Sequence, residues 1–344
     1  MTDVSNFATQ SEFSLAAYAS LSSNITGDDF RRALRDAGMS PAQADRFARD
    51  WRVVDQYTHS ELVPVLDEFG QPTGVFTTYS NGVSATVFEN VETGQRYLAV
   101  RGTELGVADL VADAILAAGF SASANPQFVA LRTQVQNWLD AGVLQPGFSI
   151  AGHSLGGYLA AATGIWFANS GSVYMYNAPG IGGVVGNVYN AFHSAFGLGE
   201  LPLVSNLYNF RGSEGISIIT GLGAQLAPPT LIQIEAAVGG VLGPGNHSVV
   251  RLADAFAIYA LYSKLAPALN LDQIGILLKS SANESRLTLE NALDALRTLI
   301  LGKSVVDAAP TQEGSIDSRE SLYANLYALL DSSAYRSLSG SAAA

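Results

Sequence analysis

The most constraining stretch of this 344-residue chain is Gly152-His153-Ser154-Leu155-Gly156-Gly157, because of what flanks it. Residues 148–151 form a short apolar run behind the break Gln145-Pro146-Gly147, and a helix of small residues continues from 155 to about 168. The pattern Gly-x-Ser-x-Gly says little alone, since a glycine-rich chain produces it by chance. Strand, turn and helix in immediate succession say more: that is the setting in which a serine is held on a tight turn with its hydroxyl lifted above a sheet. Gly152 and Gly156 bring no side chain to the point where strand and helix approach, which leaves room for a strained Ser154. The alternative reading is a glycine-rich turn with an incidental serine.

A serine hydroxyl needs a base to take its proton, and on such a turn the partners follow in the order Ser, acid, His. The four histidines are His59, His153, His193 and His247. His59 precedes the serine, His153 lies inside the turn and reads as a packing residue, and His193 sits in a glycine-rich surface segment. That leaves His247, after Gly243-Pro244-Gly245-Asn246 and just before a helix. No aspartate lies between Ser154 and His247, and the acids there are Glu200, Glu214 and Glu235. Glu214 follows a strand by a short loop and is the preferred acid. Asp254 is the next place to look if chain order fails. The oxyanion that forms at an attacked acyl carbon needs two N–H donors. Leu155 supplies one, and the strand-end turn Arg101-Gly102-Thr103 is either an ordinary turn or the source of the second, from Thr103.

Composition narrows the classes. Lys and Arg number 18 against 30 Asp and Glu, a net charge of −12, which argues against nucleic acid or an anionic membrane surface as the main partner. Apolar residues make up 48% and charged residues 14%, enough for a large core. Without cysteine there is no disulfide framework and no thiolate metal site or nucleophile, and the histidines lack metal-ligand spacing. No cofactor is expected. Residues 216–243 are largely apolar, but Pro228-Pro229 and scattered glycines interrupt them short of a spanning helix of about 20 residues. The start of the chain shows neither basic region nor apolar run, so no signal peptide of the usual kind is expected.

Along the chain, short N-terminal helices are expected, one from Ser40-Pro41 running on through Phe47, Trp51 and Val54 to Tyr57. A meander follows: strands at 75–79, 83–88 and 97–100, with turns at Asn81-Gly82 and Thr93-Gly94. From 126 helices alternate with strands at 148–151, 173–176 and 206–210, which implies a largely parallel, helix-covered sheet, an α/β fold. After His247 helices are expected at 249–265, 271–279, 287–301 and 322–330. The division expected is a catalytic domain at 1–265, including N-terminal helices in 1–60, a helical C-terminal extension at 266–336, and a disordered tail at 337–344.

Four segments together resemble the class 3, or fungal-type, lipase family, and more closely its bacterial members. They are Tyr-Leu-Ala-Val-Arg-Gly-Thr (97–103), Ile-Ala-Gly-His-Ser-Leu-Gly-Gly (150–157), Asn-Ala-Pro-Gly (177–180) and Gly-Asn-His (245–247). The likeness covers about residues 70–260. It implies an α/β-hydrolase fold and hydrolysis of triacylglycerol or related esters at a lipid–water interface. Ser154 and His247 would belong to the triad, and Thr103 and Leu155 to the oxyanion hole. The family usually carries aspartate as its acid, and this chain departs there. Bacterial proteins of this kind often carry glycine-aspartate calcium repeats; none occur here, so structural calcium is an option without a ligand pattern behind it. A secreted or extracellular location goes with the resemblance, with a cytoplasmic one still open. A phospholipase A1 or acyltransferase on the same scaffold is the enzymatic rival, and a non-catalytic binding module the rival of another class.

Residues 106–119, directly after the oxyanion turn, are amphipathic, with Leu110, Ala114 and Ala117 on one helical face. They read either as a fixed helix packed on the sheet or as a cover over an acyl groove, for which 216–243 compete.

Overall fold

A computed structural model describes residues 4–66, 71–80, 82–102, 125–180, 206–213, 227–234, 247–281, 288–302 and 316–341. Three helices come first: α1 (Val4–Ala16), α2 (Gly27–Asp36) and α3 (Pro41–Asp50). The strands that follow are β1 (Trp51–Thr58), β2 (Glu61–Leu66), β3 (Pro72–Tyr79), β4 (Ser84–Asn90) and β5 (Arg96–Arg101). Then helix and strand alternate through α4 (Pro126–Asp140), β6 (Ser149–His153), α5 (Leu155–Trp166), β7 (Val173–Tyr176), β8 (Leu207–Gly212) and β9 (Thr230–Ile232). The chain finishes with α6 (Val249–Leu265), α7 (Leu271–Ser281), α8 (Thr288–Leu301), α9 (Ile316–Leu330) and α10 (Ser333–Ser341).

Seven strands form one sheet in the order β1-β4-β5-β6-β7-β8-β9, antiparallel from β1 to β5 and parallel from β5 to β9. Period-two alternation assigns its faces. Leu98, Val100, Ile150, Val173 and Met175 turn to one side, where Phe128, Leu131 and Val135 of α4 and the small residues of α5 pack. Ala99, Ala151, Tyr174, Tyr176 and Phe210 turn to the other, under α1 and α6. On that side Phe7 lies among Tyr174, Tyr208, Phe210 and Phe256, with ring centroids between 4.7 and 6.3 Å apart. Leu289, Leu322, Tyr323, Leu329 and Tyr335 of the last helices join this same cluster. No helix among the described residues is long and apolar enough to cross a membrane.

Three local expectations are corrected. The helix from Pro41 stops at Asp50, and Trp51 turns to extended backbone (φ −131°, ψ 148°) to open β1. Trp-Arg-Val-Val-Asp-Gln-Tyr-Thr is rich in β-branched and aromatic residues, and its pairing with β4 from Trp51↔Asn90 to Thr58↔Ser84 overrides the helical spacing of Phe47, Trp51 and Val54. Second, Asn81-Gly82 does not join a hairpin: β3 pairs with β2 in a separate two-stranded sheet, while β1 and β5 occupy both edges of β4. Gly82 does turn, at φ 78°, but six of the seven β4 residues are buried, and central pairing wins over the local signal. Third, the tail from 337 is helical to Ser341, because α10 is anchored by Tyr335 in the core.

Candidate active site

Ser154 stands between β6 and α5 at φ 56°, ψ −130°, a backbone conformation rarely adopted by residues with a side chain. Its N–H donates to Tyr176 O at 2.9 Å, and its carbonyl accepts from Gly157 N at 2.9 Å, so the strand on one side and the helix on the other hold the turn. The glycines are required by contact. A methyl group at Gly156 would run into Val100 O and come within 2.7 Å of Arg101 C and Gly102 N; one at Gly152 would run into the Gly156 carbonyl. β5, β6 and the start of α5 therefore meet backbone to backbone. The fold is that of an α/β-hydrolase. A strained serine at the carboxyl end of a central parallel strand, leading into a helix that packs back on that strand, has the geometry of that fold's elbow turn.

No family model matches the sequence, and no curated protein matches it. Similar solved structures include the Lip2 lipase from Yarrowia lipolytica, 16% identical with a TM-score of 0.42 over 67% of this chain and 79% of that one. A structure described as that of a fungal lipase is 15% identical, with a TM-score of 0.42 over 70% of this chain and 83% of the other. At that level of likeness, the sheet order and elbow of this chain carry the fold by themselves.

His247 comes to the elbow from 93 residues further along. Its carbonyl oxygen lies 2.6 Å from His153 Nε2, and the two imidazole rings are 4.8 Å apart, centroid to centroid. Both are buried. Burial, with His153 alongside, pushes the pKa of the His247 imidazole well below its ordinary value and keeps it neutral, the form in which an imidazole can accept a proton. Ser154 Oγ is buried and makes no hydrogen bond with any described residue, His247 included.

Leu155 is the first residue of α5, so its N–H has no acceptor within the helix and lies one residue beyond Ser154. Thr103 falls outside the described residues, but Gly102 before it is wedged against the elbow: a methyl there would stand 2.7 Å from His153 O and 3.3 Å from Gly156 N. Glu214 also lies outside them, as do Glu200, Glu235, His193 and the segment 106–119. What the structure does place is the ledge on which Glu214 follows. Asn177 takes a left-handed turn (φ 47°) after β7, and its Oδ1 accepts from Gly212 N at 3.0 Å; Ser213 N donates to Ile232 O at 2.8 Å. β8 thereby ends two residues before Glu214, two strands across from β6. Asp254, the fallback acid, is committed elsewhere: Arg319 grips it with Nε and Nη2 at 2.7 and 2.8 Å.

One residue of the site was misjudged from sequence. His153 does not merely pack. Its Nε2 faces a carbonyl, which can only accept, so that nitrogen carries the proton; its Nδ1, 2.9 Å from the Tyr18 hydroxyl, is then the acceptor. Burial lowers its pKa to about 4, consistent with the neutral tautomer. Position 153 is adjacent to the serine, but only the fold brings Tyr18 and His247 to its two nitrogens.

Proposed function

We propose that this protein is a serine carboxylic ester hydrolase of lipase type, acting on acylglycerol or related acyl esters through an acyl-enzyme on Ser154. The observation that carries the reading is the strained elbow serine with a buried, neutral His247 packed against His153, the residue next to it. In this reading His247 takes the proton as Ser154 Oγ attacks the acyl carbon. The N–H groups of Leu155 and Thr103 receive the charge that develops on the carbonyl oxygen, and the proton passes to the departing alcohol. Water, deprotonated by His247, then releases the acid. Glu214 orients the imidazole and stabilises its charged form. The four sequence segments resembling class 3 lipases support the same assignment, and with it a secreted enzyme that meets its substrate at a lipid surface.

The test is a fluorophosphonate probe together with p-nitrophenyl esters from acetate to palmitate, phosphatidylcholine and triolein. Wild-type protein is expected to be labelled at Ser154 and to turn over esters; folded Ser154→Ala is expected to lose labelling and at least about a thousandfold in turnover. A folded wild-type protein that is neither labelled nor active would instead be a binding module on a hydrolase scaffold.

A further inference from the structure

Tyr18 and His153 take no part in the bond-making steps above, yet together they touch the elbow, the end of β5 at Gly102 and the backbone of His247. Tyr18 follows α1 on a turn closed by its N–H to Leu15 O at 3.1 Å, and its hydroxyl donates to His153 Nδ1. The same hydroxyl backs the end of β5: a methyl at Gly102 would meet it at 2.6 Å, one residue before Thr103. Through its other nitrogen His153 donates to His247 O at 2.6 Å. A directed chain therefore runs from the N-terminal helix, past the root of the oxyanion turn, through the elbow, to the peptide of the base itself.

Resting on the hydrolase reading, we propose that Tyr18 and His153 are a positioning pair that fixes where His247 stands at the elbow. The chemistry depends on that fixing. His247 meets the elbow 94 residues along the chain from His153, and an error of about 1 Å in placing a catalytic group costs on the order of a hundredfold in rate. The second bond of the chain ends on the carbonyl of the base residue, so its effect on the imidazole passes through very few rotatable bonds. The direction of both bonds is also set: with Nε2 committed as donor, Nδ1 can only receive, and a hydroxyl supplies what it needs. An apolar side chain at 153 would fill the same space but take the His153 donor away from a buried carbonyl just where the base must be held still.

The experiment compares Tyr18→Phe, His153→Phe and His153→Gln with wild type, reading kcat and KM on p-nitrophenyl butyrate and the rate at which a fluorophosphonate labels Ser154. Tyr18→Phe deletes one hydroxyl and keeps the ring, so it bears on the proposal even if His153→Phe does not fold. The expected result is a fall in kcat of about ten- to a hundredfold in His153→Phe and a smaller one in Tyr18→Phe. KM should stay within about twofold, labelling should slow in parallel, and His153→Gln, whose amide N–H can still reach the His247 carbonyl, should recover much of the rate. If folded Tyr18→Phe and His153→Phe both keep wild-type kcat and labelling rate, the positioning role is overturned while the hydrolase reading stands. A fall confined to KM, or no recovery in His153→Gln, also overturns it, since either points to general packing. Failure of wild-type Ser154 to be labelled overturns the hydrolase reading and the pair's role with it.

Discussion

Arg319 offers a prediction whose size can be worked from its surroundings. It lies on α9, some 165 residues past the nucleophile, and is 5% exposed. Its guanidinium holds Asp254 of α6 through two nitrogens, at 2.7 and 2.8 Å, while Nη1 donates to Gly38 O and Nη2 also donates to Gln43 Oε1 at 3.1 Å. Gln43 in turn donates to Glu12 and to the Tyr323 hydroxyl, both at 3.0 Å. One cation thus ties α9 to α6, to α3 and to the turn after α2. In Arg319→Met the side chain keeps its volume but leaves a buried carboxylate uncompensated and two acceptors without their donor. Breaking a buried ion pair from one side costs about 3–5 kcal/mol, so a loss of about 4 kcal/mol is expected. The double variant Arg319→Met with Asp254→Leu removes the orphaned charge and should regain a substantial part of it, though not all, because Gly38 O and Gln43 Oε1 still lack the arginine. Urea unfolding followed by tryptophan fluorescence measures each. The reasoning is refuted if the single variant lies within about 1 kcal/mol of wild type, or if the double variant is no more stable than the single.

Gly156→Ala is expected to abolish ester turnover and lower stability by several kcal/mol, since its methyl would collide with the backbone of Val100, Arg101 and Gly102, none of which can rotate away; wild-type turnover in a folded Gly156→Ala would contradict the close approach. For His153 the unfolded chain takes a proton near 6.5 and the folded one only near 4, so the unfolded state binds more protons between those values. Stability should therefore fall by about 3 kcal/mol on this account as pH drops through that window. Glu12 acts in the opposite sense: burial raises its pKa to about 7, so folding is favoured as pH falls from about 7 towards 4.5. The difference in urea midpoint between wild type and His153→Gln isolates the histidine, and should narrow steadily from pH 6.5 to 4; a constant difference would rule the linkage out. Glu214→Gln should depress kcat far more than Glu200→Gln or Glu235→Gln, and a larger loss from either of the latter would move the acid there.

Much of this chain was legible where the physical cause of structure is local. Asn125-Pro126 caps and opens α4, the Asn125 side chain accepting from Gln127 and Phe128 N–H groups. The boundaries of β7 and α6 coincide with their apolar runs, and the Thr93-Gly94 turn joins β4 to β5, since sequence-adjacent strands with matched alternation have little else to pair with. The elbow was legible because a glycine at each side of a serine, between a strand and a helix, answers one steric problem. Where several long-range partners compete, local pattern loses. Residues 51–57 have helical spacing but complete a sheet edge, and the turn at Gly82 ends one sheet and begins another instead of folding a hairpin. β9, three residues long, has too little pattern to be read at all; it forms because Phe210, Arg211 and Gly212 of β8 offer an open edge.

For the site, the sequence by itself determined which residue types are available: one serine in an elbow, four histidines, and no aspartate between Ser154 and His247. Chain order selected among them, because an elbow leaves only certain later loops within reach. Only the tertiary structure decided that His153 is shared between Tyr18 and His247, and that Asp254 belongs to Arg319. A hydrogen bond across 135 residues leaves no trace in periodicity. Its partners are chosen by how helices settle on the two faces of the sheet, and a residue's role at the site follows from which atoms that packing brings within 3 Å of it.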